Sequence, residues 1–265
     1  MGRVITETVE IPSLGREKRL HVYLPDGAGT GNRSYPVLYM QDGHNLFDAK
    51  DSAFGSSWEV GQTLDAWERK TGENCIVVGI DCPSLLRFDE YSPWKNEHPE
   101  SLPAVFRCGR VLGGEGEAYA AWFLGDLKKR IDSRYPTDRE TTWLAGSSMG
   151  AVISLYAGFR HAENVRKIGA FSPAAWFAEA SLLEFLARSA RPEVGVWVDV
   201  GTAETSDPND PSFPEQYLSG ARKIRQALEN RGTRELVYRE IPGGIHHESA
   251  WAERFPGFVR WLFQA

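Results

Sequence analysis

The sequence predicts an α/β fold with a mostly parallel, eight-stranded central sheet, an antiparallel N-terminal edge and helices on both faces. Two segments near the start, residues 4–11 and 18–25, alternate between apolar and polar residues, as half-exposed antiparallel strands do. Six later apolar runs are continuous, which is typical of strands that helices cover on both faces. Segments with helical spacing separate these runs, and this alternation predicts a doubly wound sheet.

The predicted elements follow one another along residues 1–265 without a linker or an internal repeat, so we expect a single domain. This length is ordinary for one α/β domain with a substantial core. The buried strands are predicted at residues 36–40, 75–80, 141–145, 167–171, 194–200 and 236–241. The helices are predicted at residues 58–70, 116–130, 151–160, 179–189, 217–230 and 247–263.

Composition and charge argue against several classes of partner. The formal net charge is −6 without a Lys/Arg block, so we expect no nucleic-acid partner. The first residues do not resemble a signal peptide, and no apolar run is long enough to span a bilayer, so we expect no membrane association. Cys75, Cys82 and Cys108 lack metal-like spacing, which favours reduced thiols and a cytoplasmic location. A homo-oligomer is compatible with the sequence.

A strand–turn–helix segment around residue 148 carries the strongest chemical signal. Gly146, Ser148 and Gly150 form a G-x-S-x-G pattern between an apolar strand and an apolar helix. A serine on such a sharp turn needs small neighbours, because a Cβ two residues away would collide with the adjoining backbone. The turn lifts the hydroxyl above the sheet edge at a helix N-terminus, whose free N–H groups can stabilise an oxyanion. We therefore interpret Ser148 as a nucleophile, against the alternative of a glycine-rich turn without a catalytic role.

A serine nucleophile needs a base, and we expect a histidine after it in the chain. His161 lies at the far end of the nucleophile helix and is expected to point away. His246 and His247 follow the last predicted strand, at a carboxyl end where active residues of such sheets lie. We prefer His246 as the base, with His247 as the alternative. A metal site that uses this pair with Glu248 is disfavoured because adjacent side chains diverge, and we expect no cofactor.

The acid that orients the base should follow the penultimate strand, where two carboxylates occur. Glu204 comes soon after the strand end, beyond a glycine that frees the turn, and Asp207 is the alternative. Asp199 lies within the strand and is expected to anchor the loop. The oxyanion hole needs two backbone N–H donors. We assign one to Met149, directly after the nucleophile, and the other to His44, with Gly43 as its alternative.

Three segments together resemble one known family, the putative esterase family. They read Y-M-Q-D-G-H-N-L-F at residues 39–47, G-S-S-M-G at residues 146–150 and G-I-H-H-E-S-A-W at residues 244–251. The family includes feruloyl and acetylxylan esterases, enterochelin esterases, S-formylglutathione hydrolases and mycolyltransferases. The similarity spans nearly the whole chain and is strongest to the predicted-hydrolase branch near the enterochelin esterases.

The resemblance implies an α/β-hydrolase fold and carboxylic-ester hydrolysis without a metal. The histidine of this branch commonly stands in an H-N-E-x-x-W context, which implies that His246 is the base. His247 then occupies the position where asparagine is usual, and this is a departure from the pattern. The family's acid stands in a G-T-x-D/E setting, which falls on Glu204. The family is chemically broad, so the acyl and alcohol groups of the substrate stay open.

The segment 82–114 is rich in Pro, Arg and aromatic residues, and we expect it to be an inserted loop that covers the active site. Flat apolar surface combined with guanidinium groups suits an aromatic or anionic substrate. We therefore predict that Arg87, Tyr91 and Trp94 contact the substrate. Trp176, which follows another predicted strand, is expected to line the acyl pocket.

These expectations combine into a serine carboxylic-ester hydrolase that forms an acyl-enzyme with a small or aromatic acyl group. Its predicted partner is a small-molecule ester. An acyltransferase that uses the same residues is the alternative within catalysis, since it differs only in how water is excluded. A non-catalytic binding protein on the same fold is the alternative outside catalysis.

Overall fold

The computed structural model describes residues 1–265 except 53, 99, 101, 104, 105, 162, 164, 190–192 and 265. The strands are β1 (Arg3–Ile11), β2 (Arg16–Leu24), β3 (Tyr35–Gln41), β4 (Ile76–Ile80), β5 (Lys95–Asn96), β6 (Leu112–Gly113), β7 (Thr137–Ser147), β8 (Val165–Phe171), β9 (Gly195–Gly201) and β10 (Leu236–Ile241). The helices are α1 (Val60–Thr71), α2 (Arg87–Glu90), α3 (Gly116–Trp122), α4 (Lys128–Arg134), α5 (Met149–Arg160), α6 (Glu179–Arg188), α7 (Phe213–Asn230) and α8 (Glu248–Leu262).

The central sheet has eight strands in the order β1-β2-β4-β3-β7-β8-β9-β10. Strands β4, β3, β7, β8, β9 and β10 are parallel to their neighbours in this series. Strand β2 pairs antiparallel with β4, and β1 pairs antiparallel with β2 at the N-terminal edge. The predicted fold class is therefore confirmed. The short strands β5 and β6 form a separate antiparallel pair.

Both faces of the sheet are covered, which explains why the central strands are continuously apolar. Along β3, Val37 and Tyr39 belong to a core cluster on one face, and Leu38 and Met40 belong to a cluster on the other. The first cluster includes buried residues of α3, α5, α6 and α7, and the second includes buried residues of α1 and α8. Because successive side chains of a strand point to opposite faces, each of these positions needs an apolar residue.

The helix predicted at residues 116–130 extends further than expected. Helices α3 and α4 are joined by one π-helical turn over Phe123–Leu127, and the helical run ends at Arg134. Four of its buried residues recur at every fourth position, namely Tyr119, Phe123, Leu127 and Ile131, and Ala120 and Trp122 are buried beside them. No helix among the described residues has the length and apolar character needed to cross a bilayer.

The segment 82–114 contains α2, β5 and β6 and is fixed to the sheet by buried charges. Glu90 of α2 is fully buried and accepts hydrogen bonds from Lys18 of β2 and from Arg16. The Cys82 thiol also donates to the Glu90 carboxylate. A buried carboxylate requires such partners, because burying an unpaired charge is costly. The description of this segment as an inserted loop over the active site stays a prediction.

Candidate active site

Ser148 occupies a strained turn at the carboxyl end of β7. Its backbone has φ 57° and ψ −122°, and its N–H donates to the carbonyl of Phe171 at 2.9 Å. A Cβ on Gly146 would lie 2.6 Å from the backbone of Gly150, and a Cβ on Gly150 would lie 2.9 Å from Gln41. Neither contact is tolerable, so the two glycines allow the serine to stand between strand and helix.

His246 and Glu204 meet at the carboxyl ends of β9 and β10. The Nδ1 atom of His246 lies 2.5 Å from Oε2 of Glu204, and Glu204 is fully buried. The two loops are also joined directly through their backbones, because Ala203 N–H donates to the carbonyl of Gly244 at 2.9 Å. The imidazole is therefore fixed with Nδ1 toward the acid, which leaves Nε2 for proton exchange.

The Nε2 side of His246 and the Ser148 hydroxyl share a neighbour. The Tyr217 hydroxyl lies 3.4 Å from Nε2. The Ser148 side chain lowers the pKa of this hydroxyl, against the larger rise that burial causes, so Ser148 also lies near it. Ser148 and His246, from distant parts of the chain, therefore both lie next to the Tyr217 hydroxyl.

The alternative base and acid residues have other partners. His247 is the N-cap of α8, and its Nδ1 accepts a hydrogen bond from the N–H of Ser249 at 3.3 Å. Asp207 accepts a hydrogen bond from the N–H of Asn209 at 3.0 Å. His161, at the end of α5, lies 3.1 Å from a carboxylate oxygen of Glu117.

A buried polar network supports Glu204 from below. The carboxylate accepts hydrogen bonds from the hydroxyl of Ser172 and from the N–H of Gly201, the latter at 2.7 Å. The guanidinium of Arg254 lies 3.5 Å from Glu204 and 2.9 Å from Asp199. Burial raises the pKa of Asp199 to about 6, although Arg254 opposes that rise. The buried carboxylates are thus held by hydrogen bonds and by one shared cation.

Sequence reasoning missed Arg254 and Ser172. Arg254 lies on the face of α8 that also buries Trp251 and Phe255, so its charge interrupts an apolar pattern. Asp199 likewise interrupts the apolar pattern of β9. Two opposite charges at positions expected to be apolar were the available signal for a buried ion pair. The hydroxyl of Ser172 gave no comparable signal.

The two backbone N–H groups predicted to bind an oxyanion come directly after β7 and β3, which are neighbouring strands. Met149 is the first residue of α5, so its N–H has no acceptor within the helix. His44 lies in a 3-10 turn over Gly43–Asn45 that directly follows β3. The residue before this turn, Asp42, has φ 55° and ψ 53°, a left-handed conformation that is uncommon outside glycine.

Arg87 and Tyr91 hold this left-handed residue in place. The Tyr91 hydroxyl accepts a hydrogen bond from the N–H of Asp42 at 3.0 Å. The Arg87 guanidinium donates to both carboxylate oxygens of Asp42, at 3.0 and 2.8 Å, and also to the carbonyl of Ser147 at 3.2 Å. Segment 82–114 therefore connects the turn after β3 to the turn at residues 146–150 through Arg87.

The four residues predicted to contact substrate occupy different surroundings. Tyr91 is fully buried, and Arg87 is engaged with Asp42. Trp94 packs against Tyr156 and Phe185, which belong to α5 and α6. These three residues are therefore not kept among the proposed substrate contacts. Trp176 is half-buried. Its ring centroid lies 6.4 Å from that of Tyr217, and Tyr217 is the neighbour of Ser148 and His246.

Two titratable groups lie next to the turn after β3. Burial lowers the pKa of His44, but the Asp81 carboxylate, 3.7 Å from its Nδ1, and the charge of Asp42 outweigh this and raise it overall. Glu248, the first residue of α8, accepts a hydrogen bond from the side-chain amide of Asn45 at 3.0 Å. Burial raises the pKa of Glu248 to about 7.

Comparisons with known proteins agree with this architecture. The family model described as "Putative esterase" matches residues 11–262. The uncharacterized protein YbbA of Bacillus subtilis (strain 168) is 24% identical over 252 residues, which cover 93% of this chain and 92% of YbbA.

Two solved structures share the fold at low identity. A ferulic acid esterase has a TM-score of 0.72 and 18% identity, with 99% of this chain and 100% of that chain covered. An IroE-like serine hydrolase from Shewanella oneidensis has a TM-score of 0.76 and 18% identity, with 98% and 80% covered. Since the family match extends over almost the whole sequence, the chain belongs to this esterase family and is a carboxylic ester hydrolase.

Proposed function

We propose that the protein hydrolyses carboxylic esters of small or aromatic acids through Ser148, His246 and Glu204, with an acyl-enzyme intermediate. The observation that carries this proposal is the orientation of His246. Its Nδ1 lies 2.5 Å from the buried carboxylate of Glu204, and its Nε2 lies 3.4 Å from the Tyr217 hydroxyl, which Ser148 also neighbours. An acid that fixes the imidazole in this way lets Nε2 act as base and then as acid.

The proposed reaction has two halves. In the first, Nε2 of His246 takes the Ser148 proton while Oγ attacks the ester carbonyl carbon. The carbon–oxygen bond to the alcohol then breaks, and the alcohol leaves with the proton from Nε2. In the second half, water gives a proton to Nε2 and attacks the acyl-enzyme, which releases the acid and restores Ser148.

The tetrahedral intermediates of both halves carry an oxyanion that needs donors. We assign these to the N–H groups of Met149 and His44, with that of Gly43 as the alternative. The position of Met149 at the start of α5 supports this role, because the helix dipole also favours negative charge there.

The acyl group is proposed to lie against Trp176. This ring forms an aromatic surface with Phe106, Phe213 and Tyr217, with ring centroids 5.5–6.4 Å from that of Trp176. Such a surface suits a flat or small apolar acyl group.

Transfer to an alcohol instead of water is the alternative reaction, because it uses the same residues. A cytoplasmic location stays a prediction; the three cysteines are all free.

The test compares wild type with Ser148→Ala on p-nitrophenyl acyl esters, feruloyl esters and acetylated sugars. We expect short-chain activity in the wild type and its loss in the variant. A fluorophosphonate should label wild type at Ser148 and leave folded Ser148→Ala unlabelled. Persistent hydrolysis by Ser148→Ala with an unchanged circular dichroism spectrum would refute the proposal.

A further inference from the structure

Tyr217 is placed at the reacting centre by a helix to which sequence reasoning gave no role. It lies in the second turn of α7 and is fully buried. Its ring packs on the imidazole of His246, with the ring centroids 4.7 Å apart. Its hydroxyl lies 2.6 Å from Oγ of Ser206 and 3.4 Å from Nε2 of His246.

The position of this hydroxyl matters because Nε2 is the nitrogen that exchanges protons. The other ring nitrogen is committed to Glu204. Burial raises the pKa of Tyr217 to about 12, so the side chain is a neutral phenol at physiological pH. A phenol has one hydrogen to donate and oxygen lone pairs that accept. If the hydrogen goes to Ser206, a lone pair is free to face the space beside Nε2.

We propose that Tyr217 positions the water that hydrolyses the acyl-enzyme and so favours hydrolysis over transfer to an alcohol. This inference rests on the proposed function, with Ser148 as the acylated residue. One hydrogen of the water is accepted by Nε2 of His246 and the other by the Tyr217 oxygen. The water oxygen bonds to the acyl carbon, the bond from that carbon to Oγ of Ser148 breaks, and Nε2 returns the proton to Oγ.

The preference for water over an alcohol follows from the number of O–H hydrogens on the molecule that receives the acyl group. Water has two hydrogens and can satisfy both Nε2 and the Tyr217 oxygen. An alcohol has one hydrogen, which the base must take, so the Tyr217 lone pair gives it no comparable hydrogen bond. The phenol therefore orients water more strongly than an alcohol at the same point.

A leaving group that departs easily separates this role from general damage to the site. p-Nitrophenolate needs little protonation to leave, whereas water always needs a base and an orientation. Loss of the Tyr217 hydroxyl should therefore slow deacylation and spare acylation. For a two-step esterase, slower deacylation lowers kcat and KM together and leaves kcat/KM unchanged.

The experiment uses full-length wild type, Tyr217→Phe and the control Tyr238→Phe with p-nitrophenyl acetate in stopped flow. We expect Tyr217→Phe to lower kcat and KM each by about tenfold, with kcat/KM within about twofold of wild type and a burst of one p-nitrophenolate per enzyme. Added methanol should increase the ratio of methyl ester to free acid by about fivefold in this variant.

The controls use residues with matched chemistry. Tyr238 lies on β10, and its hydroxyl donates to Glu240 at 2.8 Å, so Tyr238→Phe should leave every constant unchanged. Ser206→Ala removes the hydrogen-bond partner of the phenol and should shift kcat, KM and the partition ratio in the same direction by a smaller factor.

Two outcomes would overturn the inference. A fall in kcat/KM that matches the fall in kcat would mean that Tyr217 supports acylation or the structure of the site. Unchanged kcat, KM and methanol partitioning would mean that the phenol does not interact with water. Activity in Ser148→Ala would instead refute the proposed nucleophile, so the two failures are distinguishable.

Discussion

The proposed acid–base side and the proposed oxyanion side of Ser148 are joined to the rest of the fold in different ways. On the acid–base side, formed by Glu204, His246 and the network beneath them, the loops after β9 and β10 bind each other through backbone hydrogen bonds. On the oxyanion side, formed by Asp42, Gly43 and His44, a left-handed residue is held by side chains from segment 82–114.

This difference separates residues that take part in the proposed reaction from residues that only position the reacting groups. In the proposed mechanism Glu204 takes part in the charge balance of catalysis, and its neighbours in the sheet fix its position. The oxyanion donors are backbone groups, so side chains affect them only by setting the turn that presents them. Substitutions on the acid–base side should therefore reduce the rate more than those on the oxyanion side, and three variants test this expectation.

The largest effect is expected from Glu204→Gln. The amide cannot stabilise the imidazolium and favours the wrong tautomer of His246, so kcat should fall by about 10³–10⁴-fold. The matched control is Asp207→Asn, which we expect to stay within about twofold of wild type. Steady-state kinetics with a p-nitrophenyl ester measures both. High activity in Glu204→Gln combined with loss in Asp207→Asn would move the acid to Asp207.

A second effect concerns Glu248, which joins the two sides by accepting a hydrogen bond from Asn45 at the start of α8. Burial raises its pKa from 4.5 to about 7, while Asp42 also raises it and Arg87 and His44 oppose the rise. The folded protein therefore binds more protons than the unfolded chain between these values. The contribution of Glu248 to the free energy of unfolding is therefore fully present below about pH 4.5 and is lost as the pH rises through about 7.

Glu248→Gln should remove this pH dependence. The difference in free energy of unfolding between wild type and variant should change by at most about 3 kcal/mol between pH 5 and pH 8. Urea denaturation at both pH values measures it. Glu253→Gln, an exposed position on the same helix, is the control. Parallel pH profiles for wild type and Glu248→Gln would show that Glu248 ionises normally.

Much of the fold was predictable because its signals are local. A continuous apolar run, such as residues 75–80, is enough to predict a strand that is covered on both faces. The strands and the sheet class are confirmed on this basis. The glycine pattern around Ser148 is local too, because Gly146 lies against the backbone of Gly150, four residues later.

The candidate site was harder to predict wherever contacts join distant parts of the chain. Residue type alone predicts Arg87 and Tyr91 as substrate contacts, and nothing in the sequence shows that both of them bind Asp42. For Tyr217 likewise, the sequence shows only that it lies in a segment with helical spacing. Its role depends on how α7 packs against the loop that carries His246, which no local pattern encodes.

The smallest effect is expected on the oxyanion side, from Arg87→Lys. Lysine keeps the positive charge but loses the planar fork that binds both oxygens of Asp42 and the carbonyl of Ser147. The turn that presents His44 should loosen, and kcat should fall by about tenfold with little change in KM. Arg222→Lys is the matched control, because Arg222 makes the same two-pronged contact with Glu240 at an exposed site.

Kinetics of Arg87→Lys also decides between two roles for this residue. A substrate contact would lose binding equally in ground and transition states, so KM would rise while kcat stayed constant. A residue that holds the oxyanion turn affects the transition state selectively, so kcat falls and KM does not rise. An increase confined to KM would therefore return Arg87 to the substrate site and would remove the contrast between the two sides of Ser148.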